Sequence, residues 1–190
     1  QSAEEGARAG SGVDATAARF PLPPGTFDPY NLIANGPYGQ LASLGSGFSF
    51  TEGPAVDRKG NVYFTDQPND KIHRWDVKTG EIRVFAEGTG RANGMIFDAN
   101  EHLITCSDMK GELRRYYPDG SHVVIVNNYG GKLLNGPNDV WINPMNGGMY
   151  ITDPMFPRNY WETSDPRRQN WEPTRSEQAA KGKGGHVYFL

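Results

Sequence analysis

The sequence has one cysteine among its 190 residues, so no disulfide can form within the chain and the fold must rest on packing. Cys106 lies in the apolar run Leu-Ile-Thr-Cys-Ser, which is typical of a strand interior, and we interpret it as a buried structural thiol without a catalytic role. The sequence also lacks any run of about 18 to 20 apolar residues, so we expect no membrane-spanning segment and no membrane partner.

Positive charge is scarce as well, because 19 Lys and Arg face 22 Asp and Glu and the formal net charge is −3. The basic residues are scattered rather than aligned in a stripe, which disfavours a nucleic-acid partner. No Gly-x-Ser-x-Gly motif is present, which disfavours serine-hydrolase chemistry. No two of the four histidines have the spacing of a metal site, and we expect strand or turn positions for His73, His102, His122 and His186.

Glycine and proline, by contrast, are frequent, with 24 and 14 residues. They cluster between short apolar runs, a pattern typical of an all-β protein with many tight turns. We therefore expect few helices.

Three stretches of the chain repeat one another, over residues 52–66, 93–108 and 138–153. Each opens with a carboxylate or an amide at or beside a glycine or proline turn, and these openings, 41 and 45 residues apart, are Glu52, Asn93 and Asn138. Each stretch closes with an aspartate, and these are Asp66, Asp108 and Asp153. The spacing matches the roughly 40 to 45 residues of a four-stranded propeller blade. The repeat therefore predicts an all-β fold of the β-propeller type.

The chain divides into two predicted parts. Residues 1–45 lack a sustained period and are expected to form a flexible N-terminal tail and a lead-in segment, whereas residues 46–190 form the N-terminal part of a propeller domain. Two four-stranded blades are followed by a third, which is interrupted after Pro154 for roughly thirty residues before a strand near 185–190. The interruption carries Tyr160, Trp161 and Trp171, and both surface packing and substrate contact stay open for it.

Propellers close their ring with about four to eight blades, so we interpret these residues as the front part of a larger propeller. Open blade edges favour self-association. The small, polar start at residues 1–10 resembles the N-terminus of a protein after signal-peptide removal. It favours a secreted or periplasmic location, with a cytoplasmic one still open.

A candidate site follows from the same repeat. Equivalent positions of successive blades converge on the propeller axis, which brings Glu52, Asn93 and Asn138 together. Carboxylate and amide oxygens are the ligands that calcium and similar hard cations take. An asparagine beside a glycine is also a common turn residue, so a structural role in turns is the alternative.

Four motifs in this order and spacing resemble a known family: Phe50-Thr-Glu-Gly-Pro54, Ala92-Asn-Gly94, Leu134-Asn-Gly-Pro-Asn-Asp139 and Tyr150-Ile-Thr-Asp-Pro154. They are similar to the gluconolactonase branch of the senescence-marker-protein, gluconolactonase and luciferin-regenerating-enzyme family, over about Phe48 to Leu190. The resemblance implies a six-bladed β-propeller with one divalent cation, usually Ca²⁺, in its central channel. It also implies hydrolysis of sugar lactones or related esters, in which the cation polarises the lactone carbonyl and activates water.

The resemblance implies roles for individual residues as well. Glu52 and Asn138 match metal ligands, and Asn93 and Asn135 match positions that face the same cavity and would contact the substrate. His186, which follows the interruption, is a further candidate for substrate binding. The family pattern expects another Asn and an Asp in later blades, the Asp being both ligand and general base, so the catalytic residue is expected beyond Leu190.

Two questions stay open at this point. Asp153 belongs to one of the four motifs, but Asp66 and Asp108 occupy the same phase of the repeat, and an aspartate there can bond turn amides, which favours a structural role. The rival function is a non-catalytic propeller that binds carbohydrate or protein, since propellers also serve as scaffolds.

Overall fold

The computed structural model describes residues 43–155 and 185–190. All elements below fall in residues 45–190, one of the two compact units into which the chain divides. The predicted N-terminal tail and most of the interruption after Pro154, with Tyr160, Trp161 and Trp171, lie outside the described residues. Within the described residues, no helix has the length and apolar character that crossing a bilayer requires.

The first sheet, called sheet 1, is a four-stranded antiparallel meander in chain order. Its strands are β1 (Thr51–Val56), β2 (Val62–Asp66), β3 (Lys71–Trp75) and β4 (Ile82–Glu87), with a short 3₁₀ helix at Gln67–Asn69 between β2 and β3. The β1–β2 turn is tight because the Asp57 carboxylate accepts hydrogen bonds from the backbone amides of Lys59 and Asn61, both at 2.9 Å.

Sheet 2 repeats this plan, as the sequence predicts. Its strands are β5 (Ala92–Phe97), β6 (Leu103–Ser107), β7 (Glu112–Tyr116) and β8 (His122–Val126). Asp98 takes the place of Asp57 in the β5–β6 turn, where its carboxylate accepts the amides of Asn100 at 2.8 Å and His102 at 2.9 Å.

The third sheet contains three described strands, which pair antiparallel in chain order. They are β11 (Asp139–Ile142), β12 (Met149–Asp153) and β13 (His186–Phe189), the last at the strand position expected near 185–190. A small hairpin of β9 (Asn128–Tyr129) and β10 (Lys132–Leu133) precedes this third sheet, called sheet 3, and the sequence pattern does not predict it.

Sheet 2 lies between the other two sheets, and its central strand shows this most clearly. All five residues of β6 are buried, whereas β12 alternates between buried and exposed residues because only one of its faces is covered. Leu103 belongs to the core shared with sheet 1, and Ile104 and Cys106 belong to the core shared with sheet 3. The thiol of Cys106 is fully buried, as predicted, and burial raises its pKa well above the usual value.

The face of sheet 3 that points away from sheet 2 carries an exposed aromatic row. Trp141, Tyr150 and Phe189 sit in one register row across the three strands, and all three are exposed. Ring centroids are 5.8 Å apart between Trp141 and Tyr150 and 5.1 Å apart between Tyr150 and Phe189. The alternation along β12 sends Ile151 to the opposite, covered face.

We predict that Ile104→Ala lowers the free energy of unfolding by about 2 to 5 kcal/mol, because it leaves a cavity between sheets 2 and 3. Urea unfolding followed by tryptophan fluorescence measures the change. Val123→Ala is the matched control, since Val123 is an exposed residue of the same sheet, and it should change the stability by less than about 1 kcal/mol. Equal losses in the two variants would contradict the packing described here.

Candidate functional site

The first strands of the three sheets lie side by side, and two glycines bring their backbones into contact. Gly53, which follows Glu52, has φ +50°, and a Cβ at this position would lie 2.3 Å from the Asn93 carbonyl oxygen. A Cβ at Gly94 would likewise lie 2.7 Å from the Asn138 carbonyl oxygen. The Gly94 amide donates a hydrogen bond to that same oxygen at 2.7 Å. No residue with a side chain fits such approaches without a backbone shift.

These contacts form a chain from sheet to sheet through the three strand-start residues, Glu52, Asn93 and Asn138. The residue after Glu52 touches Asn93, and the residue after Asn93 touches Asn138. Register irregularities mark the same points, one in β1 between Glu52 and Ala55 and one in β5 between Ala92 and Met95. Bulges of this kind bend a strand and redirect its side chains, and they are common next to active sites.

The side chains of the three strand-start residues are polar, and they differ in burial. Glu52 and Asn138 are half-buried and Asn93 is buried. Among residues 43–155 and 185–190, none of these three side chains makes a hydrogen bond or an ion pair. No group of three or more His, Cys, Asp or Glu side chains in the same residues could hold a metal ion. One carboxylate with amide oxygens does suit a hard cation, and the donor set therefore fits calcium in kind.

Two of the closing aspartates fix the backbone just before a strand-start residue. Asp66 accepts the amides of Ser49 and Phe50, each at 3.1 Å, which are three and two residues before Glu52. Asp153 accepts the amides of Asn135 and Gly136 at 2.9 Å, three and two residues before Asn138. Asn135 is itself buried. The two carboxylates thus have the structural role that the repeat indicates for them.

The environments of these two carboxylates differ electrostatically. Burial would raise the pKa of Asp66, but hydrogen bonds from Asn69, Phe50 and Ser49 outweigh it, so that pKa lies below its usual value. Burial dominates at Asp153 and raises its pKa, against the opposing hydrogen bonds from Asn135 and Gly136. Two carboxylates that bond backbone amides in the same way therefore have pKa values shifted in opposite directions.

His186 lies on the outer side of this region. The register pairs it with Asp153, and its ring stacks on Tyr188 with centroids 5.6 Å apart. It is exposed, and β12 separates its strand from β11, a distance of two strand spacings or roughly 10 Å. The structure thus brings Glu52, Asn93 and Asn138 together through backbone contacts and leaves His186 at the periphery.

Two polar residues between β2 and β3 have contacts that the sequence pattern did not indicate. Gln67 donates a hydrogen bond from Nε2 to Asp108 at 3.1 Å, which links sheet 1 to the closing aspartate of sheet 2. Asp70 accepts hydrogen bonds from the residues just before β5. The signal that could have found Asp70 is its place in the turn that follows Asp66-Gln-Pro-Asn, where aspartate is a common acceptor of amide hydrogen bonds.

The family model described as the SMP-30/Gluconolactonase/LRE-like region matches residues 50–170, more than half of the chain. The chain belongs to this family. The resemblance found in the four motifs is thereby confirmed, and those motifs include all three strand-start residues.

Individual relatives agree with the family. A gluconolactonase of Zymomonas mobilis is 25% identical over 143 residues, which cover 67% of this chain and 40% of that protein. The solved gluconolactonase of Xanthomonas campestris is 28% identical with a TM-score of 0.56, over 59% of this chain and 37% of that one. Regucalcin of Agrobacterium tumefaciens, a calcium-binding protein, shares the fold at 20% identity with a TM-score of 0.55, over 80% of this chain and 49% of that one.

The chain thus spans about two fifths of the gluconolactonases it matches. Its described part is nearly all-β and antiparallel, which confirms the predicted class, and its sheet arrangement is of the propeller type. The description of the family model names gluconolactonase, as do both of these relatives.

The opposite pKa shifts of Asp66 and Asp153 predict opposite effects of pH on stability. The folded protein holds the Asp153 proton more tightly than the unfolded chain, so the stabilisation from Asp153 decreases as pH rises from its unfolded pKa through its raised folded pKa. Asp66 has a lowered pKa, so its stabilisation is present above the unfolded pKa and is lost as pH falls through the folded pKa.

The measurement compares wild type with Asp66→Asn and with Asp153→Asn by urea unfolding between about pH 3 and pH 6, which brackets the ordinary carboxyl pKa. The loss caused by Asp66→Asn should grow as pH rises, and the loss caused by Asp153→Asn should shrink. The two variants are matched because each removes one carboxylate that holds two amides. Parallel pH trends would contradict the difference in environment.

Proposed function

We propose that these residues form the first blades of a six-bladed β-propeller that hydrolyses sugar lactones with a bound divalent cation, Ca²⁺. The observation that carries the proposal is the chain of backbone contacts through Gly53 and Gly94, which sets three oxygen-bearing strand-start residues side by side at one end of three sheets. Membership of the family supports the reaction class. Because the chain covers only part of its relatives, the activity is proposed for the whole protein.

The larger ring is supported by the exposed aromatic row of Trp141, Tyr150 and Phe189. Buried apolar side chains fill the interface between sheets 1 and 2, and others fill the interface between sheets 2 and 3. A row of three exposed aromatic residues on the outward face of sheet 3 has the character of a blade face that a further blade covers.

Glu52 and Asn138 are the residues we assign to the cation. Both offer oxygen atoms, the ligand type that calcium prefers, and the single carboxylate limits the charge of the site. When bound, the cation would polarise a lactone carbonyl and make water a better nucleophile. Glu52 supplies the negative charge that holds it, and the contact between Gly94 and Asn138 restricts the strand that carries the amide ligand.

Asn93, Asn135 and His186 are the residues we assign to the substrate. Side-chain amides can donate to and accept from the hydroxyl groups of a sugar lactone, which suits recognition without a covalent step. Asn93 and Asn135 are buried beside the strand starts, and Asp153 holds the Asn135 backbone. His186 would contact the more distant end of a substrate. The general base is proposed to be an aspartate of a later blade.

Glu52→Gln in the whole protein is expected to weaken calcium binding about tenfold or more, because calcium affinity depends on the number of charged ligands. Isothermal titration with calcium chloride measures the affinity, and lactone hydrolysis at saturating calcium measures the recovery of activity. The matched control is Glu87→Gln, which removes an exposed acid paired with Lys71 in the same sheet.

The control should bind calcium with wild-type affinity. Lactone hydrolysis that persists unchanged after chelation would exclude the cation from the reaction, and wild-type calcium affinity in Glu52→Gln would remove Glu52 from the site. Either result would leave the family's reaction class standing and overturn the assignment of the metal.

A further inference from the structure

The turn that leads into β5 is held differently from its two counterparts. In sheets 1 and 3, an aspartate of the same sheet bonds the amide two residues before the strand-start residue. In sheet 2 that amide belongs to Arg91, and it donates to Asp70 Oδ1 of sheet 1 at 2.6 Å. A carboxylate from the segment between β2 and β3 of the neighbouring sheet therefore holds the turn that precedes Asn93.

Asp70 makes three contacts with this turn, which we name the Asp70 clasp. Its Oδ1 accepts hydrogen bonds from the Thr89 hydroxyl at 3.0 Å and from the Arg91 amide. Its backbone carbonyl accepts the Thr89 amide at 3.4 Å. Thr89 is fully buried, and its Oγ1 in turn accepts the amide of Ala92 at 3.2 Å. The clasp thus reaches the residue directly before Asn93.

Sheet 2 holds the same turn from the other side. The Ser107 hydroxyl lies within hydrogen-bond distance of the carbonyl oxygens of Thr89, at 2.9 Å, and Gly90, at 3.2 Å. Arg114 donates from Nη1 to the Gly88 carbonyl at 3.0 Å. Asp70 of sheet 1 thus accepts hydrogen bonds from donors of the turn, whereas side chains of sheet 2 donate to its carbonyl oxygens. Hydrogen bonds from both sides leave the turn little freedom to shift.

The backbone of the clasp is in a conformation that needs such support. Asp70 has φ 56° and Arg91 has φ 55°, and both lie in the left-handed region that residues with a side chain rarely adopt. Strained backbone of this kind persists only where surrounding interactions fix it, and it is often found near functional sites. Here the strained residue Arg91 is two positions before Asn93, so the direction in which β5 begins depends on the clasp.

We propose that Asp70 is a positioning residue that fixes Asn93 for substrate binding, without touching the substrate itself. This inference rests on the proposed function, because it takes Asn93 as a substrate contact. Asp70 bonds the segment before Asn93, whereas Asp66 and Asp153 bond the segments before the cation ligands Glu52 and Asn138. Loss of the clasp should therefore affect lactone turnover and not calcium binding.

The test uses three variants of the whole protein. Asp70→Gly removes the carboxylate and tolerates the left-handed backbone, and it is expected to lower kcat/KM about ten- to a hundredfold, as small misplacements of a binding group do. Asp70→Asn keeps an oxygen acceptor and tolerates the same φ, so it should recover most of the activity. Asp98→Gly is the matched control, because it removes a carboxylate that holds two amides at the opposite end of the same strand.

Three measurements accompany kcat/KM. Calcium affinity by isothermal titration should stay within about twofold of wild type in Asp70→Gly, since Asp66 and Asp153, and not Asp70, bond the backbone amides that precede Glu52 and Asn138. Hydrogen exchange at the Arg91 amide should be faster in Asp70→Gly and unchanged in Asp98→Gly. Urea unfolding gives the loss of global stability in each variant.

The outcomes separate this inference from the function on which it rests. A wild-type protein without lactone turnover would overturn the proposed function and this assignment together. Turnover that Asp70→Gly leaves unchanged, or that falls no further than in Asp98→Gly, would overturn the assignment alone. A parallel fall of calcium affinity and turnover in Asp70→Gly would also overturn it, because the clasp would then act on the whole site.

Discussion

The close approach of three strand backbones at Gly53 and Gly94 is the constraint on which the rest of the structure depends. These contacts fix how sheet 2 lies against its neighbours near the strand starts, and they leave no space for a Cβ. The apolar clusters on both sides of sheet 2 then form away from this point, from side chains that alternate along each strand. The same geometry gathers Glu52, Asn93 and Asn138, so one steric requirement serves both packing and the candidate site.

Polar groups hold the segments that enter this region, and they do so in more than one way. Asp66 and Asp153 each bond two amides of their own sheet, whereas the turn before β5 receives its carboxylate from Asp70 of the preceding sheet. Asp108, which the repeat equates with Asp66 and Asp153, accepts a hydrogen bond from Gln67 across the same boundary. Sheets 1 and 2 are therefore joined by directional polar contacts as well as by apolar packing. Such contacts define a geometry more sharply than apolar area does.

Much of this architecture could be predicted from the sequence, because it follows from local patterns. The repeat marks the strand starts, the closing aspartates and the tight turns, and the apolar run around Cys106 marks a strand buried on both faces. The Asp70 clasp could not be predicted in this way, since its partners Thr89 and Arg91 lie about twenty residues further along and outside the repeat. The hairpin at Asn128–Leu133 has strands of two residues, too short to show a period. The side-chain positions around the strand starts depend on contacts between sheets, which no single stretch of sequence contains.

The fully buried thiol of Cys106 has a practical consequence. It is the chain's one cysteine, and it lies in the apolar seam between sheets 2 and 3. A thiol reagent can reach Cys106 only after sheets 2 and 3 separate. Until then the raised pKa keeps the thiol protonated, and a protonated thiol reacts slowly. The rate of alkylation in native buffer therefore reports how often two neighbouring sheets separate, and it does so without an introduced probe.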